Sequence, residues 1–137
     1  MNRILLIFLI IGFLAYPNFS PADDGSTALK QKEMNGVRYV SGGVGIEERT
    51  ALKGAMKEYN LKLVFASIEG SYLSNVRVVI RDPGGKMVID VTADGPWLLL
   101  DLPSGTYEVC TTYHHERKTR TVKVDKGLQT ALFHWRL

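Results

Sequence analysis

From residue 61 onward the chain is a series of seven short apolar runs, each closed by a turn signal, and this spacing leaves little choice of fold. Several short strands at even intervals with Gly and Pro between them specify an all-β domain of stacked or closed sheets. The runs are 61–67, 76–81, 86–91, 97–100, 106–113, 118–124 and 128–135. Alternation within them assigns faces. Val76, Val78 and Ile80 point one way, with Arg77, Val79 and Arg81 opposite. Tyr107, Val109, Thr111 and Tyr113 share a face opposed to Glu108, Cys110 and Thr112. Asp82-Pro83-Gly84-Gly85, Asp94-Gly95-Pro96, Pro103-Ser104-Gly105 and Asp125-Lys126-Gly127 supply the turns. Connections this short imply antiparallel neighbours.

The residues before this array divide into three. Met1-Asn2-Arg3 followed by the apolar run 4–14 and the small residues Ser20-Pro21-Ala22 reads as a signal peptide over 1–22, cleaved after Ala22. As a helix, residues 4–15 would rise only about 18 Å at ~1.5 Å per residue, short of a ~30 Å hydrocarbon core, so no stable membrane span is expected after cleavage. Residues 23–36 mix Asp, Gly, Ser, Lys and Gln and read as a flexible leader. In 37–60, an extended piece at 37–40 precedes the Gly-rich stretch Ser41-Gly42-Gly43-Val44-Gly45, and Leu52, Ala55, Met56 and Tyr59 then follow helical spacing. Glu47 and Glu48 fall in the first turn, Gly54 weakens the interior, and Asn60 is expected as a left-handed stop.

Composition narrows the function classes. The chain of 137 residues carries a formal charge of +3, and loss of Arg3 with the signal segment lowers that excess by one, too little to argue for nucleic acid. The single cysteine, Cys110, has no internal disulfide partner. A secreted domain without such staples relies on its core, which suits a periplasm. Cys110 shares its face with Glu108 and Thr112 and is read as covered and inert.

The string Leu102-Pro103-Ser104-Gly105-Thr106-Tyr107-Glu108-Val109, preceded by Asp94-Gly95-Pro96 and Leu98-Leu99-Leu100 and followed by a basic strand and an alternating terminal strand, resembles the carboxypeptidase regulatory-like domain of the prealbumin-like superfamily. The resemblance covers about 61–135. It implies a mainly β, seven-stranded antiparallel prealbumin-like sandwich at 61–137, here preceded by one short amphipathic helix. The segment Tyr39-Val40-Ser41-Gly42-Gly43-Val44-Gly45 with the following helix is not part of the usual domain and resembles a subset of small secreted bacterial proteins in which that domain stands alone. In carboxypeptidases the domain accompanies a catalytic zinc unit, and elsewhere it recurs in envelope, adhesion and outer-membrane receptor proteins. The peptidase His-x-x-Glu spacing does not occur in this chain.

Each candidate site has a plainer reading. His114, His115 and His134, with Cys110, match no structural zinc spacing, so no metal or cofactor is expected and the His114-His115 pair reads as a hairpin tip. Gly42, Gly43 and Gly45 before a helix look like a phosphate cradle but lack the Lys-Ser/Thr pair, and read as a tight bend. Trp97 and Trp135 are expected in the core rather than on a sugar-binding surface. Arg77, Arg81, Arg117, Lys118, Arg120 and Lys123 form the candidate binding face, for an anionic lipid or a polysaccharide, against the plainer reading of charges that blunt a sheet edge. The enzyme alternative is a small hydrolase of the transthyretin-like type. Hydroxyisourate hydrolases, however, end in Tyr-Arg-Gly-Ser, and this chain offers only His134 and Arg136 in Phe133-His134-Trp135-Arg136-Leu137. The expectation is therefore a non-catalytic periplasmic or secreted accessory module, monomeric or weakly homodimeric, that recognises an envelope protein or glycan.

Overall fold

The computed structural model describes residues 29–137; the expected signal segment 1–22 and the leader up to residue 28 lie outside them. The described chain is mainly β, with one short helix. Its strands are β1 Lys32–Met34, β2 Val37–Gly42, β3 Leu61–Ser67, β4 Arg77–Arg81, β5 Met87–Thr92, β6 Trp97–Asp101, β7 Gly105–Tyr113, β8 Glu116–Val124 and β9 Gln129–Trp135. Helix α1, Ile46–Ala55, runs into a 3₁₀ turn at Met56–Glu58. The strands form two open sheets, in the orders β1-β2-β6-β3-β9 and β5-β4-β7-β8.

Nine strands thus replace the expected seven. The two additional ones come from 32–42. Lys32–Met34 falls within the stretch read as leader, and a turn through Asn35 and Gly36, both at positive φ, folds it back on β2. β2 reaches beyond the expected 37–40, since it pairs with β6 from Arg38 to Gly42. The uniformly antiparallel expectation also fails at one ladder: β3 and β9 are parallel, from Leu61↔Gln129 to Ser67↔Trp135. Packing accounts for this. The parallel register brings Phe65, Phe133 and Trp135 together with ring centroids 6.2–6.3 Å apart, a separation at which aromatic pairs attract.

The inward alternation of both sheets meets in one buried cluster. Leu61, Leu63, Phe65, Leu98, Leu100 and Phe133 come from the first sheet, and Val78, Ile80, Ile89 and Val109 from the second. A smaller cluster lies on the other face of the first sheet, where Val40, Val64, Trp97 and Leu99 pack under Leu52 of α1 and Tyr59. Leu52 is the helix's one buried residue. The helix therefore depends on this face, because ten residues with an interior glycine are marginal alone. Arg38 fastens the same region: its guanidinium holds Asp101 at 2.8 Å and donates to the Glu58 carbonyl at 3.3 Å.

Asn60 is not left-handed. Tyr59 is already extended at φ −126°, so the chain passes straight into β3. The Asn60 side chain instead imitates a strand neighbour, accepting from the Leu102 N–H at 2.9 Å and donating to the Leu102 carbonyl at 2.6 Å.

Candidate functional site

The four strands of the second sheet place one row of side chains each on its outward face. In register these are Thr92, Asp90 and Met87 from β5, Arg77, Val79 and Arg81 from β4, Thr112, Cys110 and Glu108 from β7, and Arg117, Thr119, Thr121 and Lys123 from β8. Arg77, Arg81 and Arg117 border a shallow depression of about 240 Å³ whose floor includes Val79 and Cys110. Arg77 makes a two-point bond to Asp90, Nε to Oδ1 at 3.1 Å and Nη2 to Oδ2 at 3.0 Å. Those hydrogen bonds, together with the positive charge, hold the Asp90 carboxyl below its usual range. Arg81 donates to the Gly85 carbonyl at 3.4 Å and stands opposite Glu108 in the ladder. Arg117 and Lys123 make no ion pair among the described residues.

The six cations of the candidate binding face do not all lie on this side of the sheet. A strand alternates sides at every residue. Lys118 and Arg120 oppose Thr111 and Val109, whose side chains are buried, so they lie on the inward side of β8. There they lean over the open side of the molecule. Lys118 sits 6.0 Å from the Trp135 ring centroid and 3.4 Å from Glu116, and Arg120 sits 5.8 Å from the Phe133 ring while donating to the Leu132 carbonyl at 3.0 Å. Arg77, Arg81, Arg117 and Lys123 remain as the outward set.

The other candidates separate. Cys110 is partly exposed rather than covered, between Val79 and Thr119 in the ladders. His114 and His115 both take positive φ at the β7–β8 turn, with His114 stacked on Tyr113 at 4.2 Å. His134 is exposed on β9. Among the described residues no group of three or more His, Cys, Asp or Glu side chains is placed to hold a metal ion. Trp135 is in the main core and donates Nε1–H to the Glu116 carbonyl at 3.2 Å. Trp97 is buried on the opposite face of its sheet, with the Lys62 ammonium 3.7 Å above its ring. Burial there, followed by the nearby Lys53 charge, lowers the Lys62 pKa.

The glycine turn is occupied by the chain's own carboxylate. Glu48 Oε1 accepts from the Gly43 N–H at 2.9 Å, and Gly43 takes φ +97°. A side chain on Gly42 would overlap Glu48, with a Cβ 2.8 Å from Cδ. An anion at this helix start has been supplied from within.

A second concavity, of about 430 Å³, lies between β1–β2 and β5 and includes Met34, Tyr39, Val91, Leu98 and Asp94 among its walls. Sequence reasoning missed it, because two of its walls belong to the strands formed by 32–42. Lys32 and Asp94, 3.9 Å apart, stand at its rim. Among the described residues no helix is long and apolar enough to cross a membrane. No protein-family model matches the chain, and no curated protein matches it.

Proposed function

We propose that this chain is a non-catalytic binding module, exported to the periplasm or the cell exterior, that holds a carboxylate- or phosphate-bearing group of another envelope component on the outward face of the β5-β4-β7-β8 sheet. The observation that carries this reading is the convergence of Arg77, Arg81 and Arg117 on one depression of about 240 Å³. Guanidinium forks match carboxylate and phosphate geometry and stay protonated throughout the physiological range. Such groups bind and orient an anion, but they do not serve as a general base. Cys110, the nucleophile on the floor, is flanked across the ladders by Val79 and Thr119, neither of which takes up its proton, and no hydrogen bond joins it to Glu108, the carboxylate that borders the same depression.

The prealbumin-like, carboxypeptidase regulatory-like architecture belongs to the same proposal. It is supported by the Leu102–Val109 string and by the single buried cluster shared between the two sheets. Export is supported by the apolar run behind Arg3.

A photo-crosslinking side chain at Thr119, compared with one at Lys57, tests the face in intact cells. The expected result is one discrete adduct from Thr119 only, abolished by Arg81→Gln with Arg117→Gln. An adduct indifferent to those substitutions, or the same adduct from Lys57, refutes the reading.

A further inference from the structure

Strand β9 is an edge of a different kind from β8. It has one strand neighbour, β3, and its seven residues Gln129–Trp135 carry no acidic or basic side chain apart from His134. A parallel strand turns the N–H and C=O of alternate residues toward its neighbour. Gln129 N–H bonds the Asn60 carbonyl at 2.9 Å and Trp135 C=O accepts from Ile68 at 2.8 Å, which puts the odd-numbered residues toward β3. The backbone groups of Thr130, Leu132 and His134 therefore face outward, as the Arg120 bond to the Leu132 carbonyl shows directly. Uncharged exposed edges are templates for a further strand.

The neighbourhood of that edge specifies what would bind. Alongside it, in the other sheet, run the inward cations Lys118, paired with Glu116, and Arg120 of β8, and a groove of about 680 Å³ bordered by Arg120, Lys123, Asp125 and Gln129 separates the two strands, with cations in excess. A second copy pairing β9 to β9 about a two-fold axis would bring two such cationic strands together, which like charges oppose. An extended acidic segment meets the opposite sign.

We propose that β9 accepts an extended acidic peptide segment of a partner protein as an added strand. Its backbone pairs with Thr130, Leu132 and His134. Carboxylates at every second position face Lys118 and Arg120, and the intervening side chains cover Leu132, which is 48% exposed. Strand addition takes its affinity from the main chain and its selectivity from alternate side chains. This site lies on the side of β8 away from Arg81 and Arg117 and does not depend on the outward-face reading.

The probe is a dye-labelled seven-residue peptide alternating Glu and Val, titrated by anisotropy into the protein recovered from the producing cell. Its controls are the Lys-for-Glu peptide and a version N-methylated at alternate amides. Leu132→Pro removes an outward N–H while leaving the ladder to β3 intact, a position where an edge tolerates proline. We expect saturable binding of the acidic peptide, weakened at least about tenfold by Leu132→Pro and by N-methylation. Lys86→Gln, in the β4–β5 turn at the β5 edge of the second sheet and part of neither site, should change it less than about twofold. Equal binding of the methylated or Lys peptide, or the absence of saturable binding up to ~1 mM, overturns the proposal. So does a concentration-dependent dimer in sedimentation that Leu132→Pro dissolves. The methylated peptide decides the matter even if Leu132→Pro does not fold.

Discussion

Replacing Gly95 by alanine tests how the first sheet is closed over the β5–β6 turn. A Cβ there would lie 2.8 Å from Gly42 Cα and closer still to the Gly42 carbonyl, all of it backbone of β2. Ordinary carbon contacts sit at about 3.5–4.0 Å, so relief requires the turn or β2 to withdraw by roughly 1 Å. The turn is held to β2 by Ser41 Oγ, which accepts from the Asp94 N–H at 2.8 Å and the Gly95 N–H at 3.4 Å. Withdrawal breaks these bonds, together about 1 kcal/mol because one of them is long, and adds about 1–3 kcal/mol of overpacking strain, so Gly95→Ala costs about 2–4 kcal/mol. For a domain of this size the thermal midpoint falls by roughly 8–16 °C. Urea denaturation of Gly95→Ala, Ser41→Ala and the double variant measures both the cost and its origin. Because the larger substitution already forfeits the Ser41 bonds, the double variant should lose about 1 kcal/mol less than the sum of the singles. A Gly95→Ala midpoint within about 0.5 kcal/mol of the parent, or strict additivity, refutes the reasoning.

Gly54→Ala is expected to act in the opposite sense. Nothing lies within 4 Å of a Cβ there, and a helix interior gains about 0.5–1 kcal/mol from alanine, read as a rise in urea midpoint. Tyr107→Phe should cost about 1 kcal/mol, since the buried phenol donates to the Pro103 carbonyl at 2.6 Å across the turn that follows it; an unchanged thermal midpoint would show that bond to be idle. Burial raises the Tyr59 and Tyr107 phenols above their ordinary 10.0. The stability they contribute is therefore complete below pH 10 and drains away as pH climbs through the raised values, so tyrosinate absorbance should show Tyr59 and Tyr107 titrating late and together with unfolding.

The seven later strands were legible because apolar alternation and Gly-Pro turns coincide there; 61–67 has the same bounds in the structure as in the sequence pattern. β1 was not legible. Of Lys32, Glu33 and Met34, only Met34 reaches the core, so three residues carry no periodic signal. β6 hid its sidedness for the opposite reason. Leu98 and Leu100 face the main core while Trp97 and Leu99 face α1, and a strand buried on both sides shows no alternation to read. Reading 117–123 as one basic string obscured the candidate face: the period of two separates Arg117 from Lys118, and this was available from the sequence once Val109 and Thr111 were placed inward. The parallel β3–β9 ladder depends on where the last strand docks, and no local signal encodes that.

The two open sides of the molecule are closed by unequal means, and the difference bears on where a partner strand could enter. On the β5 side, Asn35 donates to the Val88 carbonyl at 3.1 Å and the Asp90 N–H meets Met34 Sδ at 3.4 Å, so the β1–β2 hairpin itself covers the edge. On the β9 side, the buried Trp135 ring fixes one end through its bond to Glu116, while the middle is stopped by Arg120, an exposed side chain. An exposed hydrogen bond contributes only about 1 kcal/mol and exchanges readily with water. Withdrawing the hairpin would disturb a strand pair and its core contacts, whereas withdrawing Arg120 requires a rotamer change. A neutral strand reaching β9 gains the Leu132 carbonyl but displaces a guanidinium and gives it nothing in return. A strand bearing carboxylates offers Arg120 a stronger, charge-assisted partner in the same movement. The arginine thus discriminates by charge between segments that the bare edge would treat alike.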